Sequence, residues 1–250
     1  MSRLTFTKGN AKLNKNIWIF SLPAGHTCPG AELCKAKVVV KNGRRQIADG
    51  PKARFRCYAA SNEVLYSNVF DCHVNNLKAL RAAKSISGMR NLILRSLPAF
   101  VTHVRLHSSG DFFSQVYFDA WVEVAMARGN VIFYGYTKSL PYWVSRKNIL
   151  PSNLILTASK GGRYDALIET ENLRFAKVCA SVEEAKYLGL PIDHDDSHAM
   201  QPGSNFALLL HGIQPKGSIA SKYLSKLKQS GWRGYNKKLP VVIEATHATN

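Results

Sequence analysis

The chain has 250 residues, 46% of them hydrophobic and 20% charged, a balance that fits a folded domain and excludes a disordered chain. Its 34 Lys and Arg against 16 Asp and Glu leave a formal charge of +18, which implies an anionic partner such as nucleic acid, nucleotide, phosphate or an anionic membrane surface. No run of about 18 apolar residues occurs, and the basic start MSRLTFTKGNAKLNKN lacks the apolar stretch of a secretory signal, so a soluble cytoplasmic protein with no membrane partner is expected.

Ile17–Leu22 (IWIFSL) reads as the first strand. Val38–Val40 and Arg45–Ile47 flank an Asn42-Gly43 pair, the mark of a tight hairpin, which makes residues 35–56 a hairpin insertion. Apolar residues at Val64, Leu65, Val69, Leu77 and Leu80 predict one long helix from Asn62 to Ala83, capped by Ser61. Further strands are predicted at Val101–His107, Val131–Tyr136, Leu154–Thr157, Phe175–Cys179 and Phe206–Leu210. Between and after them come a helix over Ser114–Arg128, one opened by Ser181 with Glu184, and a basic one over Ser218–Gln229. Strands alternating with helices give an α/β fold with a parallel sheet of about six strands, open or a partial β/α barrel. The expected organisation is a single β/α domain over 1–250, with 213–250 a basic C-terminal extension. In either architecture the chemistry sits at the carboxyl ends of the strands.

Five cysteines are an odd number in a chain too large to need disulfide staples, which favours free thiols or metal ligands. Cys28 and Cys34 lie in the loop after the first strand (GHTCPGAELC), and Cys57 follows the hairpin in RCYAAS. Three thiolates in one loop suit a four-iron cluster with one iron left open, or a three-cysteine zinc site awaiting a histidine. Lys35, Lys37, Arg54 and Arg56 nearby would offset the negative charge. Cys72 is expected in the core. Cys179 ends a strand and is either packing or a fourth ligand, a place His26 could also take.

The segments SLPAGHTCPGAELC, CYAAS and RLHSSGDFFSQVYFDAW resemble a bacteriophage family, gene product 88, which is itself similar to the radical S-adenosylmethionine (SAM) enzymes. The likeness runs from about Leu13 to Gly212. It implies a partial β/α barrel, a [4Fe-4S] cluster on Cys28, Cys34 and Cys57, SAM on the open iron, and the host cytoplasm as location. The compact Cys-x3-Cys-x2-Cys spacing usual in radical SAM enzymes is stretched here, with 22 residues between Cys34 and Cys57, and their Gly-Gly-Glu motif does not follow the second strand. Ser108-Ser109-Gly110-Asp111 stands in that place.

Residues at the strand ends form the candidate cofactor site. Ser109 and Asp111 would receive an amino group, and Lys138 or Lys160 a carboxylate or phosphate. Lys160-Gly161-Gly162-Arg163 resembles a phosphate cradle without full P-loop spacing. Asp193–His198 (DHDDSH) is the densest run of hard and borderline ligands, either a divalent-ion site for phosphodiester chemistry or an exposed acidic loop. Lys222, Lys226, Lys228, Arg233, Lys237 and Lys238, interleaved with Tyr223, Trp232 and Tyr235, are the expected nucleic-acid contacts. Three functions compete: a radical SAM-like iron–sulfur enzyme acting on nucleic acid or nucleotide, a nucleic-acid-binding protein with a structural Fe–S or Zn site, and a metal-dependent nuclease. No catalytic residue is assigned by the sequence.

Overall fold

The apolar runs of the sequence become strands, and seven of them pair into one sheet in the computed structural model, which describes residues 3–235. They are β1 (Thr7–Lys8), β2 (Ile17–Phe20), β5 (His103–Leu106), β6 (Ile132–Thr137), β7 (Leu154–Ser159), β8 (Phe175–Cys179) and β9 (Phe206–Leu209), adjacent in that order. Only β1 is antiparallel to its neighbour; the other six run parallel. A separate hairpin pairs β3 (Ala36–Lys41) with β4 (Arg44–Asp49), turning at Asn42 and Gly43, both with positive φ (50° and 71°). That is the backbone an Asn-Gly hairpin needs. The strand order is a linear run of seven, so the fold is a mixed α/β one, a mostly parallel sheet flanked by helices, and among the described residues its edge strands β1 and β9 do not pair with each other.

Parallel neighbours taken in chain order need crossovers of one hand, which gathers the connecting helices on one face. Val104, Leu106, Phe133, Leu154 and Leu156 face that side and pack on Leu80, Ile93, Tyr117, Phe118 and Trp121. These helical residues come from α2 (Ser67–Ala83), α3 (Ile86–Ser96) and α4 (Gln115–Ala127). Alternate strand residues point the other way. There Ile17, Ile19, Tyr134 and Phe206 are covered by Leu13 and Ala199, which lie in irregular chain.

The helix expected over Asn62–Ala83 is two helices. The first, α1 (Tyr58–Leu65), starts directly after Cys57, and Tyr66 breaks the run with extended backbone (φ −117°, ψ 105°). Ser61 therefore lies inside α1, donating to the Ile213 carbonyl at 3.3 Å instead of capping. The helix α3 was not foreseen, although Ser85 caps it through the Gly88 amide. Three short helices follow, α5 (Leu140–Val144), α6 (Ala166–Thr170) and α7 (Val182–Tyr187). The basic helix is α8 (Ile219–Gln229), whose Ala220 and Leu227 pack on Leu209, Leu210 and Trp232. No described helix is long and apolar enough to cross a membrane.

Candidate functional site

Beyond β2 the chain enters the cysteine loop already fixed to its neighbour, since the Leu22 amide donates to the Ser109 carbonyl at 2.9 Å. It passes Cys28 and Cys34, leaves through the β3–β4 hairpin and returns at Cys57, the N-cap of α1. The loop is sewn to the turns after β6 and β7. Arg163 N donates to Gly30 O at 2.9 Å and Leu33 N to Gly161 O at 3.1 Å. At Gly30 there is no room for a side chain: a Cβ would stand 1.9 Å from the Lys138 carbonyl oxygen. Gly30→Ala is therefore expected to lower stability by about 1–3 kcal/mol or more, by forced separation of the two loops. Gly129, with open space around its Cβ position, should tolerate Ala to within about 0.5 kcal/mol in the same urea titration.

Glu63 holds the loop from beneath. Fully buried on α1, its carboxylate accepts from Ala24 N (2.9 and 3.2 Å), Ser109 Oγ (2.7 Å) and His73 Nδ1 (2.8 Å). The sequence signal for Glu63 is an acid beside Ala59 and Ala60 on the buried side of the helix, a feature not used among the candidate residues.

These connections bring Cys28, Cys34 and Cys57 to the wall of one cavity of about 170 Å³ at the carboxyl ends of the strands, which Arg105, Asp111 and Lys138 also line. Burial pushes the Cys28 thiol well up, and Asp111, Cys57 and Cys34 add to the shift. Burial also raises Cys57, as does Cys34, against the pull of the Ala59 and Ala60 amides. A nucleophilic cysteine needs the opposite shift. As free groups these two thiols stay protonated at neutral pH, and a bound cation is what would replace their protons.

Asp111 does not cap α4, a role Ser114 takes through the Tyr117 amide. Its carboxylate reaches across to the end of β6, accepting from Thr137 Oγ1 (2.7 Å), Phe112 N (2.7 Å) and Lys138 N (2.8 Å). Lys138 Nζ donates to Ser159 O (2.6 Å), Ser159 Oγ (2.7 Å) and Lys160 O (3.1 Å), so all three of its donors are used. Lys138 thus supplies charge and strand-end geometry, with no proton left to give a ligand. Lys160 is not part of this cavity. Its ammonium lies 4.8 Å over the Phe175 ring and 3.8 Å from Glu169. The amides of Gly161 and Gly162 are occupied by the Asp165 carboxylate (2.7 and 2.8 Å), which sits where a phosphate would. Cys179 packs among Ala185 and Ala207, and exposed His26 bonds the Val38 carbonyl at 2.8 Å, so neither faces the thiols. Cys72 is half-buried on α2, against the core position expected, and lines a different cavity.

The DHDDSH run is neither an exposed loop nor a free ligand set. Asp193 and Asp196 are buried. Asp193 Oδ1 accepts from the amides of Asp195 (3.1 Å) and Asp196 (2.8 Å). Asp196 accepts from Lys12 Nζ (2.5 Å), Arg105 Nε (2.9 Å) and Tyr136 OH (3.0 Å). Among the described residues no group of three or more His, Cys, Asp or Glu is arranged to hold a metal ion.

The family model for gene product 88 matches residues 3–229. The chain belongs to the gene product 88 family. No curated protein and no solved structure matches it.

In this gene product 88 chain, His107, the residue after β5, has a positive φ of 60°, an uncommon backbone for a residue with a Cβ and one that clusters at functional sites. Burial lowers His107 to about 3 and His211 to about 4, helped by Arg105 and Lys12 respectively. Both are neutral in the fold near neutral pH and bind protons more readily once unfolded, so their contribution to stability is complete above about pH 6.5 and is lost as pH falls toward 4. His211→Gln should flatten that decline in urea titrations run from pH 7 to pH 4.

The predicted nucleic-acid residues Lys222, Lys226, Lys228 and Arg233 are all exposed on or just after α8, and Lys237 and Lys238 lie outside the described residues. Their aromatic partners do not form a stacking platform. Trp232 is buried with its Nε1 on the Leu210 carbonyl, Tyr235 OH accepts from Leu209 N, and only Tyr223 is exposed.

Proposed function

We propose that this gene product 88 protein is an iron–sulfur enzyme, similar to the radical SAM enzymes, acting on a nucleic acid or nucleotide. One observation carries the reading. Three cysteines from two distant segments face a single cavity, and that cavity lies where parallel α/β folds place their chemistry. We read Cys28, Cys34 and Cys57, which line that cavity, as the residues that would hold a [4Fe-4S] cluster. Cys28, Cys34 and Cys57 would each take one iron, a wider arrangement than the convergence a single tetrahedral ion demands. The Gly25 amide, 3.3 Å from Cys28 Sγ, and the Ala59 and Ala60 amides at Cys57 are the hydrogen bonds to sulfur that tune such a centre.

When bound, such a cluster would supply an open iron for SAM and, once reduced by an external electron donor, the electron that cleaves its sulfonium. The chain's own residues do the rest. Asp111, held by three donors, lines the same cavity and would receive a cationic amino group. Arg105 presents a guanidinium to the same cavity. Glu63 fixes the loop's backbone so that the thiols keep their places. Binding of nucleic acid would use the exposed face of α8 without reading bases, so affinity should fall with salt at a log–log slope of about −0.7 to −0.9 per phosphate. The enzymatic claim is tested by reductive cleavage of SAM with the reconstituted protein. Cleavage that depends on Asp111 supports it; an intact, reducible cluster that neither binds nor cleaves SAM removes it.

A further inference from the structure

A second cavity, of about 300 Å³, opens on the same face of the sheet and shares Tyr58, Arg105, Ser108, Tyr136 and His211 with the thiol cavity. Its wall carries two cations and one carboxylate: Lys12, Arg105 and Asp196. Asp193 is not on that wall; it is buried, with Oδ1 on backbone amides and Oδ2 3.5 Å from the Tyr136 hydroxyl. Arg105 is more than nine-tenths buried, and only two of its nitrogens are used, Nε on Asp196 and Nη1 on the Leu106 carbonyl. Its Nη2 makes no hydrogen bond to protein among the described residues. Lys12 spends one donor of three on Asp196. A guanidinium edge and an ammonium side by side form the donor set that grips a phosphate.

The remaining wall is aromatic. His211 lies 4.5 Å from the Tyr58 ring and 4.8 Å from Tyr235, and burial keeps it neutral. Arg105 stands 4.3 Å over Tyr136, and Lys12 4.3 Å over Tyr235, so each cation adjoins a π face. Asn62, on α1, is exposed at the cavity rim, where its amide can meet the edge of a base. The volume lies at the lower limit of small-molecule pockets, about 300–1,000 Å³, which suits a single nucleotide and not a polymer.

We infer that this cavity binds a nucleoside monophosphate, its phosphate on Lys12 and Arg105 and its base against the Tyr58–His211–Tyr235 wall. As a substrate site this rests on the enzyme reading above; as a binding site it does not. The test is calorimetric titration of metal-free protein at low salt with AMP, GMP, CMP and UMP, the matching nucleosides, and inorganic phosphate. At least one monophosphate should bind tenfold or more tighter than both its nucleoside and phosphate, and Lys12→Met should weaken it at least tenfold. The proposal is overturned if no monophosphate outbinds phosphate in the wild type, a comparison that needs no variant. It is equally overturned if folded Lys12→Met protein binds as before. Protein that takes up iron yet ignores all four monophosphates sinks this site alone, and metal-free Cys28→Ala protein that still binds one upholds it whatever becomes of the cluster.

Discussion

Replacing Cys28, Cys34 or Cys57 with Ala should each strip the reconstituted protein of most of its iron, while Cys72→Ala and Cys179→Ala retain it. The contrast follows from position. The first three thiols face one cavity, whereas Cys72, on α2, lines another and Cys179, at the end of β8, packs on Ala185 of α7 and Ala207 of β9. The variants should not fail by unfolding, because removal of a buried thiol leaves Glu63 and its four hydrogen bonds to hold the loop. A melting temperature kept within a few degrees in the metal-free variants separates loss of ligand from loss of fold. Equal iron in all five would place the metal elsewhere.

Asp196→Ala should cost about 3–5 kcal/mol in urea unfolding, the range for breaking a buried ion pair from one side. The carboxylate has only 3% of its side chain exposed, and its partners Arg105 and Lys12 have 10% and 15%. Truncation leaves two cations facing each other with nothing between them. Burial alone would raise the Asp196 carboxyl, but Lys12 and Arg105 hold it below its usual range. Its contribution is therefore fully present above about pH 4 and fades as pH drops through the lowered folded value. Adding Lys12→Met to Asp196→Ala should restore part of the loss, since one uncompensated cation remains instead of two. A loss under about 1 kcal/mol would mean that water, not Asp196, balances the pair.

The parallel strands were legible because their signals are local. LILT, FAKVC and FALLL are short apolar runs that end in turn residues, and each became a strand within a residue or two of its expected limits. The hairpin was legible for the same reason, since Asn42-Gly43 admits few backbones. What failed depended on distant partners. The split at Tyr66 has no Pro or Gly to mark it; α1 is set by Cys57 at its start, and α2 by the core it meets. The edge strand β1 has two residues, too few for a pattern. At the site, the cysteine loop was found from residue types, whereas the fates of Lys160 and the DHDDSH run were decided by tertiary contact. A lysine with an aromatic ring within reach turns aside, and an aspartate facing Arg105 and Lys12 pairs with them before it meets a metal. Chemistry-bearing residues name candidates in sequence, and only packing says which of them are already spent.

Metal analysis of anaerobically reconstituted wild-type protein asks directly what the three thiols hold. About four irons and four acid-labile sulfides per chain are predicted, with broad visible absorbance that dithionite bleaches. One zinc per chain, or no metal at all in protein whose cysteines remain reduced, would contradict the cluster.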